Sequence, residues 1–211
     1  MKIVIFDMDG TLVDSKKDIT ISVNYVRELK YNLAPLAESF IVESINKEIR
    51  NIPKLFYGTD IYEESARLIF EQHYKKQCLQ NLYLYDGVLQ TLEELSKSGI
   101  KMSVATNAPT KFAQRMLNHL EIDKHFDVII GADKVKVSKP DPQMLEIILD
   151  YYNFNRLSDQ AWMVGDNSKD MLSAKNANIN SMFATWGFSP YGEHRVLIYE
   201  PKDILGIVLK D

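Results

Sequence analysis

Residues 3–11 read Ile3-Val4-Ile5-Phe6-Asp7-Met8-Asp9-Gly10-Thr11. The apolar run Ile3–Phe6 is typical of a buried strand in a parallel sheet. Asp7 and Asp9 therefore lie at the carboxyl end of that strand, where open α/β sheets bind their ligands. Two aspartates separated by one residue suit phosphoryl chemistry, in which one carboxylate attacks phosphorus and the other transfers protons beside a divalent cation. A solvated turn after a strand is the simpler interpretation of the same residues.

Downstream of Gly87 the sequence alternates between helix and strand patterns. The predicted helices cover 88–95, a segment starting near 109, 143–152, 168–177 and a last segment from about 202. The predicted strands cover 100–105, 126–130, 161–164, 181–185 and 196–199. Alternation of this kind predicts an α/β core, a doubly wound parallel sheet with helices on both faces.

Residues 15–81 interrupt this alternation and contain no convincing strand pattern. Apolar residues recur there at helical spacing in three separate stripes. We therefore expect an all-helical cap over 15–81, inserted into a core formed by 1–14 and 82–211.

Composition argues against several classes of protein, although a local basic patch would be compatible with the net charge. The chain has 211 residues, a hydrophobic content of 45% and a formal net charge of −4. It lacks the basic footprint of a nucleic-acid-binding protein and any apolar run of membrane-spanning length. Its single cysteine, Cys78, fits a reducing compartment, and no signal-peptide pattern is present. We expect a soluble cytoplasmic protein that binds neither nucleic acid nor a membrane, as a monomer or a homodimer.

Polar residues follow the predicted strands in a fixed order. They are Asp7-x-Asp9-Gly10-Thr11, Thr106-Asn107, Lys139-Pro140 and Gly165-Asp166 with Asp170. In a doubly wound sheet such ends meet in one crevice. Asp7 and Asp166 would hold a magnesium ion, while Thr106 and Lys139 would bind phosphoryl oxygens. Asp9 would protonate the leaving oxygen and then activate water to hydrolyse the aspartyl phosphate.

Each signal also has a structural interpretation. Thr106-Asn107 could cap a helix, Lys139 could be a solvated lysine before a turn proline, and Asp170 could be an acid favoured by a helix dipole. Their order at successive strand ends, together with the first motif, favours a shared site.

These motifs resemble those of the haloacid dehalogenase-like (HAD) hydrolases with a helical cap after the first strand, and most of all the phosphoglycolate phosphatases. The resemblance covers nearly the whole chain. The segments that show it are Phe6 to Ser15, Tyr85-Asp86-Gly87-Val88, Ala105-Thr106-Asn107, Lys139-Pro140-Asp141-Pro142, Val164-Gly165-Asp166 with Asp170, and Thr185-Trp186-Gly187.

The resemblance implies a magnesium-dependent phosphatase acting on a small phosphorylated metabolite. It implies that the nucleophile is Asp7 and the acid and base Asp9. It implies Mg²⁺ ligands from Asp7, the Asp9 carbonyl and Asp166, assisted by Asp170. It implies phosphate contacts from Thr106, Asn107 and Lys139.

Two departures from the family pattern bear on the predicted site and its substrate. Ala108 stands where relatives often have lysine, and Asn46 and Glu48 replace the glycine and proline of a loop that often contacts the substrate. In that stretch Lys47 and Arg50 would share one face of a helix, and the pair would suit a carboxylate on the substrate. Two solvated helix residues are the alternative interpretation.

Two other functions are compatible with these residues. A sugar phosphomutase would keep the core residues and differ in how its cap retains a bisphosphate intermediate. A non-catalytic signalling receiver also uses clustered acids, but its phosphoacceptor lies on a later strand and it lacks a helical cap. Asp9 beside Asp7 favours turnover, and it would be unnecessary in a dehalogenase.

Overall fold

The computed structural model describes residues 1–47, 51–189 and 196–210. The chain folds into two compact units, one formed by Met1–Asp14 with Leu84–Asp211 and the other by Ser15–Tyr83. The strands are β1 (Lys2–Phe6), β2 (Val13–Asp14), β3 (Tyr83–Leu84), β4 (Lys101–Ala105), β5 (Val128–Ile130), β6 (Gln160–Gly165), β7 (Asn180–Ala184) and β8 (Leu197–Ile198). The helices are α1 (Lys16–Tyr31), α2 (Glu38–Asn46), α3 (Ile52–Tyr57), α4 (Glu64–Gln77), α5 (Val88–Lys97), α6 (Thr110–His119), α7 (Gln143–Tyr151), α8 (Ser168–Asn176) and α9 (Asp203–Val208).

Six strands form one sheet in the order β5-β4-β1-β6-β7-β8, and all of its strand pairs are parallel. The chain builds outward from β1 to β4 and β5, then crosses to β6, β7 and β8. Such a reversal of direction leaves a crevice at the carboxyl ends of the central strands.

Both faces of β1 are buried under helices. Ile3 and Ile5 point to one face, where they pack in a core cluster with Ile148 of α7 and Ala174 of α8. Phe6 has the opposite parity along the strand and lies near Leu92 of α5. This arrangement confirms the predicted doubly wound α/β core.

The helical unit has a core of its own, built from Val23, Val26, Ile41, Phe56, Tyr57 and Ala66. Asp18, which is fully buried in the first turn of α1, accepts hydrogen bonds from Gln77 Nε2 (2.8 Å) and from Asn81 N (3.0 Å) and Nδ2 (2.7 Å). A buried carboxylate requires such partners, and these fasten the start of α1 to the segment around the end of α4.

The predicted elements of the core are present, with small shifts at their ends. β5 begins at Val128, two residues later than predicted, because Asp123–His125 forms a 3₁₀ turn in which Phe126 N donates to Asp123 O. In the helical unit, α2 ends at Asn46, a weak helix former, and Lys47 has extended backbone (ψ 139°). The prediction that a helix extends through Lys47 is therefore wrong, and Glu48 and Arg50 lie outside the described residues.

None of the helices in the described part of the chain combines the length and the apolar character that crossing a membrane requires.

Neighbouring isoleucines on α7 provide a test of this packing. Ile148 is fully buried in the core cluster, whereas Ile147 is 37% exposed. We expect Ile148→Ala to lower the free energy of unfolding by about 2–5 kcal/mol, because it removes buried methyl groups and leaves a cavity. Ile147→Ala should cost less than about 1 kcal/mol, since the side chain retains water contact. Urea denaturation followed by circular dichroism measures both, and equal losses would contradict the packing described.

Candidate active site

The register of the sheet brings the predicted site residues to one edge. Phe6 of β1 pairs with Val104 of β4 on one side and with Val164 of β6 on the other. Asp7 N continues the ladder by donating to Val164 O at 2.8 Å. The residues that follow these three strands are consequently neighbours at the carboxyl end of the sheet.

Three carboxylates meet at this edge. Asp7, Asp166 and Asp170 each offer one oxygen, and these oxygens all lie within 4.8 Å of one another. All three residues are buried, with relative exposures of 8%, 1% and 2%. Among the described residues, the Asp9 carboxylate is not part of this cluster, and Asp9 is half-buried.

The ammonium group of Lys139 lies among these carboxylates. Its Nζ donates to Asp7 Oδ1 at 2.7 Å, to Asp170 Oδ1 at 2.6 Å and to the carbonyl of Ala105 at 2.6 Å. These contacts account for all three donors of a lysine. Lys139 is only 3% exposed, so it is not the solvated lysine of the alternative interpretation.

Burial and charge shift the pKa values of Lys139, Asp166 and Asp170. Burial alone would lower the pKa of Lys139, but the negative charges of Asp170 and Asp7 outweigh it and raise that pKa, so the lysine is protonated. Burial, reinforced by the charges of Asp7 and Asp170, raises the pKa of Asp166 well above its ordinary value. Burial also raises the pKa of Asp170 to about 6, against the opposing charge of Lys139. The carboxylates together need more positive charge than one lysine supplies.

The donor set fits a magnesium ion. Mg²⁺ prefers oxygen ligands, and the cluster consists of carboxylate oxygens without histidine or cysteine. With all three carboxylates ionised, the cluster has a formal excess of two negative charges over the Lys139 ammonium. A divalent cation would neutralise that excess.

Asp166 is oriented by the segment that follows β7. Phe188 N donates to Asp166 Oδ2 at 2.6 Å, and Thr11 Oγ1 donates to Asp166 Oδ1 at 3.3 Å. The segment passes so close that a Cβ on Gly187 would collide with Asp166 and with Gly10 O. A side chain at Gly10 would meet Asp166 as well (2.7 Å to its Cγ). Two glycines therefore make room for this carboxylate.

Trp186 fastens the same segment to the first motif, because its indole Nε1 donates to Thr11 O at 3.0 Å. Sequence reasoning assigned no role to Trp186, Gly187 or Phe188, although Thr185-Trp186-Gly187 is among the segments that show the family resemblance. The only local signal is a glycine three residues after the end of β7, which indicates close approach of backbone but does not identify its partner.

Asp170 has a local role and a long-range one. In the first turn of α8 its Oδ2 accepts from Asn167 N at 3.1 Å, while Asn167 Oδ1 accepts from Lys169 N, so the pair forms a capping box. Its Oδ1 binds Lys139. A Cβ on Gly165 would collide with the Asp170 carboxylate, which explains a glycine at the end of β6.

The residues after β4 differ in how they face the site. Thr106 is buried, and its Oγ1 accepts from Ala108 N at 3.1 Å, which leaves its hydroxyl hydrogen to donate. The side-chain amide of Asn107 instead binds the backbone of Lys139, with Asn107 Nδ2 to Lys139 O and Lys139 N to Asn107 Oδ1 both at 3.1 Å.

The two predicted cap residues have different outcomes. Lys47 belongs to the helical unit, is partly exposed and pairs with Glu43 at 3.2 Å. Arg50 lies outside the described residues. Their contact with a substrate stays a prediction.

Comparison with known proteins agrees with this geometry. The family model described as haloacid dehalogenase-like hydrolase matches residues 4–184. The phosphoglycolate phosphatase of Colwellia psychrerythraea is 34% identical over 203 residues, which cover 91% of this chain and 87% of that protein. The enzyme of the same name from Vibrio cholerae is 29% identical over 204 residues, covering 92% and 88%.

Solved structures show the same fold. The crystal structure of a predicted phosphatase from Clostridium acetobutylicum has a TM-score of 0.83 at 25% identity, covering 99% of this chain and 98% of that one.

The family match, the relatives and the carboxylate cluster at the strand ends lead to one conclusion. The chain belongs to the haloacid dehalogenase-like hydrolases, and it is a phosphatase that resembles the phosphoglycolate phosphatases.

Proposed function

We propose that this protein is a magnesium-dependent phosphatase that hydrolyses a small, carboxylate-bearing phosphate ester of the phosphoglycolate kind through an aspartyl phosphate. The observation that supports it most directly is the buried Lys139 ammonium, 2.7 Å from Asp7 Oδ1, beside a carboxylate cluster able to bind a divalent cation. The names of the relatives support the choice of substrate class.

In the first half-reaction the Asp7 carboxylate attacks phosphorus, and the bond from phosphorus to the leaving oxygen breaks. Asp9 donates a proton to that oxygen, which departs as an alcohol. Thr106, the backbone N–H of Asn107 and Lys139 bind the phosphoryl oxygens, and Lys139 exchanges one of its three present acceptors to do so. Lys139 offsets negative charge on both the nucleophile and the phosphoryl group. Bound by Asp7, the Asp9 carbonyl and Asp166 with help from Asp170, a magnesium ion would lower the electrostatic repulsion between nucleophile and phosphate.

In the second half-reaction Asp9, now a carboxylate, takes a proton from water. The water oxygen attacks phosphorus, and the bond between phosphorus and the Asp7 oxygen breaks. Inorganic phosphate leaves, Asp7 is again a carboxylate, and Asp9 is again protonated for the next cycle. A dehalogenase would not need this second acid, which is one reason to favour phosphate ester hydrolysis.

The nucleophile can be tested at nearly constant shape. Asp7→Asn should reduce phosphate release from p-nitrophenyl phosphate by at least about 10³-fold, because an amide does not form the acyl phosphate. Asp150→Asn, which changes an exposed aspartate in the same way, should behave as wild type. Circular dichroism controls for folding.

Different results would separate the alternatives. Near-wild-type turnover by folded Asp7→Asn would refute the nucleophile assignment. Isomerisation of a sugar phosphate by the wild type without phosphate release would indicate a phosphomutase. A stable phosphoprotein without turnover would indicate a signalling receiver.

Magnesium binding can be measured without turnover. At about 100 times its dissociation constant, a bound ion stabilises a protein by about 2.7 kcal/mol. We expect MgCl₂ to raise Tm by about 5–10 °C in the wild type, given the usual effect of 1 kcal/mol in a domain of this size. Asp166→Asn should abolish the rise, because it removes a ligand.

A second variant tests the orientation of that ligand. Gly187→Ala should reduce the Mg²⁺-induced rise in Tm, since its Cβ would displace Asp166, whereas Asp150→Asn should keep the full rise. Scanning fluorimetry with and without EDTA measures all four proteins. An unchanged rise in Asp166→Asn would exclude the proposed site, and full turnover after exhaustive chelation would exclude the magnesium requirement.

Substrate selectivity is expected to come from the helical unit. Lys47 is held only by an exposed i,i+4 ion pair with Glu43, a weak interaction that a substrate carboxylate can replace. Combining Lys47→Ala with Arg50→Ala should lower kcat/KM for phosphoglycolate by at least about 10-fold, the equivalent of about 1.4 kcal/mol, and leave p-nitrophenyl phosphate nearly unaffected.

Lys54→Ala is the matched control in the same unit, because Lys54 is exposed and pairs with Asp60. Lys54→Ala should leave kcat/KM unchanged for both phosphoglycolate and p-nitrophenyl phosphate. A double variant that loses both activities equally would show that Lys47 and Arg50 do not recognise the carboxylate.

A further inference from the structure

Asn107 makes a reciprocal pair of hydrogen bonds with the backbone of Lys139. Its Nδ2 donates to Lys139 O, its Oδ1 accepts from Lys139 N, and both distances are 3.1 Å. Such a pair is the pattern by which a neighbouring strand would bind a residue. The Asn107 amide thus uses both its donor and its acceptor on the backbone of Lys139, which lies 32 residues later in the chain.

Lys139 needs such support because, in the described part of the chain, it belongs to no strand and to no strand pairing. It belongs to the connection between the 3₁₀ turn at Ala132–Lys134 and α7, and the next residue, Pro140, has no backbone N–H. A buried backbone donor and acceptor must find partners, and here one side chain supplies both. The position of the lysine backbone therefore depends on Asn107.

The other end of Lys139 is held by the same stretch of chain. Its Nζ donates to the carbonyl of Ala105 at 2.6 Å, and Ala105 is the last residue of β4. Residues 105–107 accordingly fix both the backbone and the ammonium group of the lysine. From this position Nζ reaches Asp7 Oδ1 and Asp170 Oδ1.

We propose that Asn107 is a positioning residue, which acts on the reaction through Lys139, and that its side-chain amide is not a phosphate ligand. The proposal rests on the proposed phosphatase function and refines it, since the family resemblance assigns Asn107 to phosphate contact. What remains for Asn107 at the phosphoryl group is its backbone N–H, which substitution of the side chain leaves in place.

The first test separates kcat from KM. Asn107→Ala should lower kcat for p-nitrophenyl phosphate by about 10- to 10²-fold, the effect of misplacing a charge-stabilising group by roughly 1 Å, with little change in KM. Asn118→Ala, an exposed asparagine on α6, should match wild type. Urea denaturation establishes that each variant is folded under the assay conditions. A rise in KM at unchanged kcat would overturn the proposal, because it would indicate a direct ground-state contact with phosphate.

The second test is a double-mutant cycle. Lys139→Ala alone should lower kcat/KM by about 10²-fold or more, the loss expected for a preorganised charge stabiliser. Adding Asn107→Ala should cause no further loss beyond about 2-fold, since Asn107 then has no lysine to position. If the two losses multiply instead, Asn107 acts independently of Lys139 and the proposal is wrong. Where turnover is too slow to measure, calorimetric affinity for inorganic phosphate in the presence of MgCl₂ replaces it in the same cycle.

These outcomes are distinguishable from failure of the proposed function. Wild-type turnover in Asp7→Asn, or no phosphate release by the wild type, would refute the mechanism itself. If Asp7→Asn is inactive and the activity losses of Asn107→Ala and Lys139→Ala multiply, only the role of Asn107 is refuted. Wild-type activity of Lys139→Ala would also overturn the positioning role, because no lysine function would remain to support.

Discussion

The active-site edge of the core depends on one ammonium group. Lys139 Nζ binds the carbonyl that ends β4, the carboxylate that follows β1 and the carboxylate in the first turn of α8. Each contact joins a different element of the sheet or its helices, so the strand ends cannot spread without breaking a charge-assisted hydrogen bond. The backbone ladder sets the register of these elements, and the lysine links their polar ends.

Asp166 is held by hydrogen-bond donors other than Lys139 and by close-packed glycines. Asp166 is not bound by Lys139 in this arrangement; it accepts hydrogen bonds from Thr11 and from the backbone at Phe188. Gly187 permits that approach. Asp7 and Asp170 thus have an ammonium partner, while Asp166 has neutral donors and a pKa raised by burial and by its acidic neighbours. This uneven distribution of charge leaves Asp166 as the carboxylate that would gain most from a divalent cation.

Sequence patterns predicted the features that depend on local order. Spacing along the chain predicts the face on which Ile3 and Ile5 lie, the apolar stripes of the helices and the polar residues at the strand ends. The parallel sheet then places those strand ends together. The Asn107–Lys139 pair could not be predicted, because it depends on which backbone lies across from an amide after folding. The end of α2 at Asn46 was missed because the apolar spacing of Ile41, Ile45 and Ile49 in the sequence outweighed the weak helix propensity of Asn46.

The cluster is more readily explained by chemistry than by stability. Removing several charges from water costs several kcal/mol each, and replacing a buried ion pair with apolar residues is often neutral or stabilising. A core that needed only to fold could fill this edge with side chains like those of β1, which is fully apolar from Ile3 to Phe6. Here three acids and a lysine are instead held at short distances by a capping box, an asparagine amide and close-packed glycines. That supporting structure keeps the acids desolvated and fixed in place, which is what charge stabilisation during phosphoryl transfer requires.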